Sequence, residues 1–233
     1  MQRVHNSLFA GLERSALIWM ARRMPASVMP DHATAFGIFG GVVTLLGYLL
    51  SWWATEFLWL ASLGLLLHWL GDSLDGTLAR VRAIERPKYG YFLDQTVDVI
   101  GNLLIVVGMG LSPFVRMDTA LLALAGYHAL SIYSYVRTCI SHEFHVSLLG
   151  SGPTEIRMLI IGMNSFVLMF GAPHFSLLGI VLTWCDIALL IMATSFMTAF
   201  VYLVAMYALT LREADRPGHA LPSQAGKAVT DHP

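Results

Sequence analysis

Long apolar segments alternate with short polar or Pro/Gly-containing breaks along most of the chain. A helix of about 20 apolar residues crosses the hydrocarbon core of a bilayer. The pattern therefore predicts six membrane-spanning helices, at 33–53, 56–82, 90–112, 118–140, 154–172 and 180–211. The last segment is long enough to contain either an approach along the interface at 175–183 or a strong tilt.

The two ends of the chain differ from these spans. Residues 5–24 mix Leu, Phe, Trp and Met with three arginines, which is typical of a helix lying in the membrane interface, so we expect such a helix within 1–30. That segment lacks the continuous apolar centre of a cleaved signal peptide. Residues 213–233 are polar and rich in Pro and Gly, which predicts a disordered tail. We expect an all-α polytopic membrane protein with one domain, 1–212.

The composition supports a membrane protein and argues against some functions. Hydrophobic residues make up 56% of the chain and charged residues 12%, and the mean hydropathy is +0.65, values that exceed those of soluble domains. The net charge of −1 leaves no basic surplus to neutralise phosphates, so a nucleic-acid partner is not expected. Cys139 and Cys185 follow no metal or redox spacing, and we expect free buried thiols.

The basic residues are distributed asymmetrically. With six spans, one side holds Arg3, Arg14, Arg22, Arg23, Arg80, Arg82, Arg86, Lys88, Arg137, Arg157, Arg212, Arg216 and Lys227 in or close to it. Only Arg116 is left for the other side. The positive-inside rule then predicts that both termini, and the ends of spans two and three near residues 72–98, face the cytoplasm of a bacterial inner membrane.

Four aspartates stand at those ends of spans two and three. Asp72 and Asp75 are three residues apart on one helix, and Asp94 and Asp98 are four apart on the next, so each pair shares a helix face. Carboxylates are costly at membrane depth unless they have a partner or a task. Two antiparallel helices can bring all four together. We expect Mg²⁺ or Mn²⁺, plausibly as a pair of ions about 4 Å apart.

Small and basic residues accompany the first pair. Gly76 and Ala79 lie on the face of Asp72 and Asp75, which lets a ligand approach the backbone. Arg80 adds a positive fork suited to phosphate. These groups predict a binding site for a nucleotide diphosphate.

The segment resembles the signature of the CDP-alcohol phosphotransferases, D-x-x-D-G-x-x-A-R, about eight residues, then G-x-x-x-D-x-x-x-D. Its specified positions are filled in order by Asp72, Asp75, Gly76, Ala79, Arg80, Gly90, Asp94 and Asp98. One departure is that nine residues, 81–89, precede Gly90. The extra residue lies in the connection containing Pro87 and leaves the role of Gly90 less defined than that of Gly76.

The resemblance implies metal-dependent transfer of a phosphoryl-alcohol group from a CDP-alcohol to the hydroxyl of a second alcohol, with release of CMP. It implies that Asp72, Asp75 and Asp94 are metal ligands and that Asp98 is the general base, sometimes also a ligand. Asp72, Gly76, Ala79, Arg80 and Gly90 are then expected to bind the CDP-donor.

The acceptor is less constrained. Arg137, Glu155 and Arg157 are candidates to bind it, with His142 and His145 near Arg137. For Pro153 and Thr154 the alternative is ordinary helix-start chemistry. A CDP-diacylglycerol donor with a small polar acceptor is expected for a six-helix member. A CDP-choline or CDP-ethanolamine headgroup moved to diacylglycerol stays open, as does a homodimer.

Two further classes use intramembrane carboxylates. A prenyltransferase would need more helices and differently spaced aspartates, and a cation transporter would be expected to show repeats or broken helices. Asp186 and His68 are interpreted as structural: the first as a hydrogen-bonded or interfacial carboxylate, the second as a packed helix residue.

Overall fold

The computed structural model describes residues 10–141, 153–177 and 179–215. Its helices in these ranges are α1 (Ala10–Arg23), α2 (Pro30–Leu50), α3 (Leu58–Val81), α4 (Pro87–Gly110), α5 (Met117–Ser141), α6 (Pro153–Phe170) and α7 (Trp184–Ala214). A short 3-10 turn, Thr55–Phe57, leads into α3. Helices α2 to α7 each overlap one of the six predicted ranges, with ends that differ by one to four residues, and α1 lies within the expected N-terminal segment. The tail beyond 215 is outside the described residues.

The chain is an integral membrane protein with several long apolar helices. Five of the described helices are long and apolar enough to cross a bilayer, namely α2, α3 with its preceding turn, α4, α6 and α7. Helix α5 has 25 residues but is not among those five. Large apolar side chains such as Leu103, Ile132 and Val201 are exposed on the outer surface, where lipid chains would contact them.

The last helix starts four residues later than the predicted 180, and a hairpin occupies the stretch for which an approach along the interface was one alternative. Residues Phe175–Leu177 (β1) and Ile180–Leu182 (β2) form an antiparallel hairpin, with Phe175 opposite Leu182. Helix α7 begins only at Trp184, because Thr183 and Asp186 form a capping box in which each side chain accepts a hydrogen bond from the other's backbone nitrogen. The fold is therefore all-α apart from this short hairpin.

Prolines define two helix starts earlier than expected. Pro30 and Pro87 each stand in the first turn of a helix, where the missing backbone N–H has no partner to lose. Helix α3 ends at Val81, and Ala83 then takes a left-handed conformation with φ of 54°. The connection between the two aspartate pairs is therefore the short loop 82–86.

Small residues make a close contact between α2 and α3. Small residues, with His68 as the exception, recur at alternating three- and four-residue intervals in both helices and face one another in the pairs Gly37 with Gly71, Gly40 with His68, Thr44 with Gly64, and Gly47 with Ala61. A Cβ on Gly40, Gly47 or Gly71 would overlap the facing backbone. Such contacts stabilise helix pairs in lipid through van der Waals packing. We call this contact the α2–α3 seam.

The other helices pack around the seam. Helix α4 contacts mainly α2 and α5 rather than lying along α3 as predicted, while α6 packs on α3 and α5 on α7. Glycine explains the approach of α4, since a Cβ on Gly108 would lie 3.0 Å from the Leu45 Cα of α2. Helix α1 joins through Leu17, which packs with Ala33 and Leu74. Helix α2 therefore separates most of α3 from α4, and the aspartates meet at one end.

The cysteine prediction holds in part. Both thiols are free; Cys185 is buried, whereas Cys139 is exposed. Cys139 stands beside the exposed Ile140 in the last turn of α5, on a surface that the other described helices do not cover.

Candidate active site

Three of the four predicted aspartates converge. Asp72 of α3 and Asp94 and Asp98 of α4 each offer a carboxylate oxygen, and these oxygens lie within 4.8 Å of one another. All three side chains are partly buried. Oxygen donors at this separation fit a hard divalent cation such as Mg²⁺ or Mn²⁺, which carboxylates bind preferentially. We call this group the carboxylate cluster.

Asp75 stands beside the cluster but is held differently. Its Oδ2 accepts a hydrogen bond of 2.8 Å from Thr34 Oγ1 of α2. Asp75 is not among the three residues whose oxygens converge. It nevertheless lines the same small pocket, together with Thr34, Gly37, His68, Asp72, Asp94, Val97 and Asp98. The expected meeting of four carboxylates is thus a cluster of three with Asp75 in the adjacent wall.

Arg157 of α6 contacts two aspartates of the cluster. It is 6% exposed, and its Nη1 donates a 2.8 Å hydrogen bond to Asp72 Oδ2 while Nη2 lies 3.8 Å from Asp98 Oδ1. A buried cation among carboxylates offsets their repulsion. The sequence suggested Arg157 as an acceptor-binding residue; the structure places it on two aspartates of the cluster.

The predicted donor-binding residues Gly76, Ala79 and Arg80 lie in the last two turns of α3, and Gly90 lies in the first turn of α4. Arg80 lies along α3 over Gly76, with Nη1 3.2 Å from the position a Gly76 Cβ would take, and its Nη2 donates to Thr77 Oγ1 at 3.1 Å. Ala79 is half-buried. Gly90 is exposed in the first turn of α4, with open space where a Cβ would be. A ligand can therefore approach the backbone at Gly90, whereas at Gly76 the Arg80 guanidinium occupies that space.

The acceptor candidates come from two helices, Arg137 from α5 and Glu155 and Arg157 from α6. Arg137 of α5 lies with its Cζ 5.3 Å from the Tyr207 ring centroid, and Glu155 is half-buried in the first turn of α6. His142 and His145 lie outside the described residues. A second pocket lies between α4, α5, α6 and α7 and reaches Arg157 and Tyr127. Its remaining lining is almost wholly apolar, including Ile105, Leu124, Ile156 and Met192.

Sequence reasoning missed the residues that fix the loops around the site. The Arg82 guanidinium donates to the backbone carbonyls of Met24, Pro25, Ala26 and Val28, and Arg86 pairs with Asp31. These contacts tie the α3–α4 connection to the α1–α2 connection. The only available sequence signal was a cluster of arginines, which is equally typical of a cytoplasmic loop.

Comparison with known proteins adds independent findings. The family model for CDP-alcohol phosphatidyltransferases matches residues 27–192. Archaetidylinositol phosphate synthase of Pyrococcus horikoshii is 30% identical over 139 residues, which cover 58% of this chain and 69% of that protein. Phosphatidylinositol phosphate synthase of Cutibacterium acnes is 35% identical over 86 residues, covering 37% and 39% respectively.

Proposed function

The chain belongs to the CDP-alcohol phosphatidyltransferase family, and on that premise we propose that it transfers a phosphatidyl-type group from CDP-diacylglycerol or a related lipid to a small polar alcohol, releasing CMP. Family membership makes it a transferase of phosphate-containing groups in phospholipid biosynthesis. The observation that carries the finer proposal is the convergence of Asp72, Asp94 and Asp98 within 4.8 Å, beside the glycine and arginine of the same motif.

The cluster residues have distinct proposed tasks. Asp72 and Asp94 would hold Mg²⁺ or Mn²⁺, with Asp98 as a further ligand and with Asp75 joining them from the pocket wall if two ions bind. A cation held there would neutralise charge on the diphosphate. Asp98 accepts the proton of the acceptor hydroxyl as that oxygen forms a bond to the lipid-bearing phosphorus. The bond from phosphorus to the bridging oxygen breaks, and CMP leaves.

The donor is oriented from the cytoplasmic-end turns. Arg80 offers its guanidinium to the diphosphate, since a planar fork matches two phosphate oxygens. Because Gly76, Ala79 and Gly90 have little or no side chain, cytidine can contact the backbone beside them. In this arrangement the nucleotide lies over the α3 and α4 turns that carry the aspartates.

The acceptor we favour is a phosphorylated polyol of the inositol type. Two relatives are named for the synthesis of lipids of that class. Arg137, Glu155 and Arg157 are the proposed acceptor-binding residues, with the two arginines offered to the phosphate and Glu155 to hydroxyl groups. Arg157 is already adjacent to Asp98, so a phosphate bound there would bring its own hydroxyls close to the base.

The apolar cavity supports a lipid substrate. Its lining from α4 to α7 meets Arg157, so an acyl or isoprenoid chain could lie there with its phosphate towards the cluster. The same cavity also suits diacylglycerol as an acceptor, and transfer of a CDP-linked choline or ethanolamine headgroup is therefore the second candidate.

The proposed setting is a bacterial inner membrane spanned by six helices, α2 to α7. Helix α1 would lie in the cytoplasmic interface, because it carries Arg14, Arg22 and Arg23 and packs only one apolar edge on the bundle. The cluster and both termini would face the cytoplasm, in accord with the distribution of arginines. A homodimer is compatible with the apolar outer surface.

Product analysis tests the proposal. Purified protein with Mg²⁺ is given CDP-diacylglycerol with glycerol phosphate, serine, inositol or inositol phosphate, and in parallel CDP-choline or CDP-ethanolamine with diacylglycerol. Lipid products are identified by mass spectrometry and CMP is quantified. We expect a phosphatidylinositol phosphate together with CMP. Product only in the headgroup series would reverse the proposed donor and acceptor, and no CMP from any pair would contradict the transferase proposal.

A further inference from the structure

His68 is a buried polar residue that the chemistry proposed above does not use. It is 1% exposed, and neither imidazole nitrogen has a hydrogen-bond partner among the described residues. A buried polar group without a partner costs about 1–3 kcal/mol. On α3, the other residues that face α2 in the seam are Ala61, Gly64 and Gly71. All three are small and apolar, so packing alone does not explain an imidazole at position 68.

The neighbouring helices leave room for this ring. A Cβ on Gly101 of α4 would overlap His68 Nε2, and a Cβ on Gly41 of α2 would lie 3.4 Å from His68 Cδ2. Glycine inside a helix is unfavourable by about 0.5–1 kcal/mol relative to alanine. Two helices therefore carry glycine where the imidazole fits, which makes a recess for His68 rather than for a smaller residue.

The recess opens on the candidate metal site. His68 is one helical turn from Asp72, Gly101 is one turn from Asp98, and His68 lines the same pocket as the aspartates. Asp72, Asp94 and Asp98 each have a carboxylate oxygen within 4.8 Å of the other two. His68 does not belong to this group of mutually close ligand atoms. The ring thus stands close to the cluster but outside the group that could share one ion directly. A water molecule would bridge that gap, because buried water occupies polar pockets that offer two to four partners.

We propose that His68 is a positioning residue of the cation site, whose imidazole forms a hydrogen bond with a water molecule on the cation held by Asp72, Asp94 and Asp98. The inference rests on the proposed metal-dependent function. Groups that hold the ligands or waters of a bound metal contribute about 10- to 100-fold to metal affinity. His68 would satisfy one buried nitrogen in this way and orient the water among the carboxylates.

Manganese binding tests this role without reference to turnover. Free Mn²⁺ is measured by electron paramagnetic resonance during titration of purified wild type, His68→Leu and His68→Gln. We expect His68→Leu to weaken Mn²⁺ binding about tenfold or more. His68→Gln should stay close to wild type, because an amide can still hydrogen-bond water. Tyr48→Phe is the matched control: it removes a buried hydrogen bond to Asn164, away from the pocket, and should bind Mn²⁺ normally.

A second variant keeps the test decisive if His68→Leu does not fold. Gly101→Ala retains the imidazole but places a methyl group against Nε2, and should also weaken Mn²⁺ binding. Gly162→Ala is its control, because a Cβ at Gly162 meets nothing within 4 Å.

The outcomes separate the two proposals. Wild type that binds no Mn²⁺ would contradict the metal function itself. Normal wild-type binding that is unchanged in folded His68→Leu, or in Gly101→Ala, would overturn the role of His68 alone. Strong coupling of a directly bonded nitrogen to Mn²⁺ in the wild-type pulsed spectrum would replace the water-mediated contact with direct ligation and so overturn it too.

Discussion

Carboxylates at the two ends of the helix bundle differ in what compensates their charge. Asp186, at the hairpin end, has both oxygens filled: Oδ1 accepts from Arg116 N and Thr119 Oγ1, and Oδ2 accepts from Thr183 N and Thr183 Oγ1. At the other end Asp72, Asp94 and Asp98 point their oxygens towards one another, with Arg157 supplying an ion pair.

The difference distinguishes a carboxylate whose hydrogen bonds are all supplied by the protein from a group of carboxylates that we propose to be a metal site. Like charges repel when they converge, so a cluster of three carboxylates is costly unless a cation or a bound proton compensates their charge. Asp186 needs no further partner, because it accepts four hydrogen bonds. A lone acidic residue in an apolar helix is therefore ambiguous until its donors are known.

The largest expected effect comes from Asp98. Asp98→Asn removes the proposed base but leaves Asp72, Asp75 and Asp94, so donor binding should persist while the chemical step falls by roughly 10² or more. Single-turnover CMP release and CDP-donor affinity measure the two quantities separately. Asp75→Asn should instead weaken metal and donor together. Equal loss of donor affinity in both variants, without a separate rate defect, would identify Asp98 as mainly a ligand.

Donor binding provides the next largest effect. Gly76→Leu puts a branched side chain where the Arg80 guanidinium now lies, so CDP-donor affinity should fall by roughly tenfold or more. Expression and helix content should survive, because leucine favours a helix more than glycine does. Gly162→Leu in open space is the control. Normal donor affinity in Gly76→Leu would remove the proposed nucleotide site from this face of α3.

Gly71 illustrates why the choice of control needs the structure. From sequence, Gly71 is simply a glycine five residues before Gly76 and on another part of the helix surface. In the fold it faces Gly37, and a Cβ there would overlap the α2 backbone. A large residue at Gly71 should break the seam and the fold, whereas one at Gly76 should affect only the ligand.

Asp186 should show the reverse behaviour of the cluster. Asp186→Asn places an amide NH₂ where one carboxylate oxygen accepts two hydrogen bonds, which should lower the free energy of unfolding by about 1–3 kcal/mol. Thermal unfolding in detergent measures the loss, and Mn²⁺ affinity of the folded protein should not change. A weakened metal site with normal stability would contradict the division between the two ends.

The smallest expected effect concerns the polar contact in mid-bundle. Tyr48 Oη donates to Asn164 Oδ1, and Asn164 Nδ2 donates to Ser62 Oγ, which links α2, α6 and α3. Tyr48→Phe should cost about 1 kcal/mol, since interhelical hydrogen bonds in membranes contribute modestly. The same unfolding assay checks it. A strong loss of activity in a Tyr48→Phe protein that is still folded would instead indicate that this contact takes part in catalysis.

Local patterns predicted the helices and the aspartate motif, because hydropathy and helical spacing are properties of neighbouring residues. They failed where contacts join distant segments. The ion pair of Arg157 with Asp72 crosses 85 positions of sequence, and the hydrogen bond from Thr34 to Asp75 crosses 41. The second strand of the hairpin, Ile180–Leu182, was included in the predicted last helix because its apolar composition suits either structure. The recess for His68 likewise depends on Gly41 and Gly101, which no spacing rule connects to it.

The most direct test of the central claim is CMP release measured together with thermal unfolding as the divalent metal is removed and restored. The account predicts that excess chelator stops CMP release from the CDP-alcohol donor and that Mg²⁺ or Mn²⁺ restores it. The helices should remain folded throughout, because the seam and the apolar core do not include the cation. Full turnover in excess chelator would contradict the claim that the carboxylate cluster acts through a bound metal.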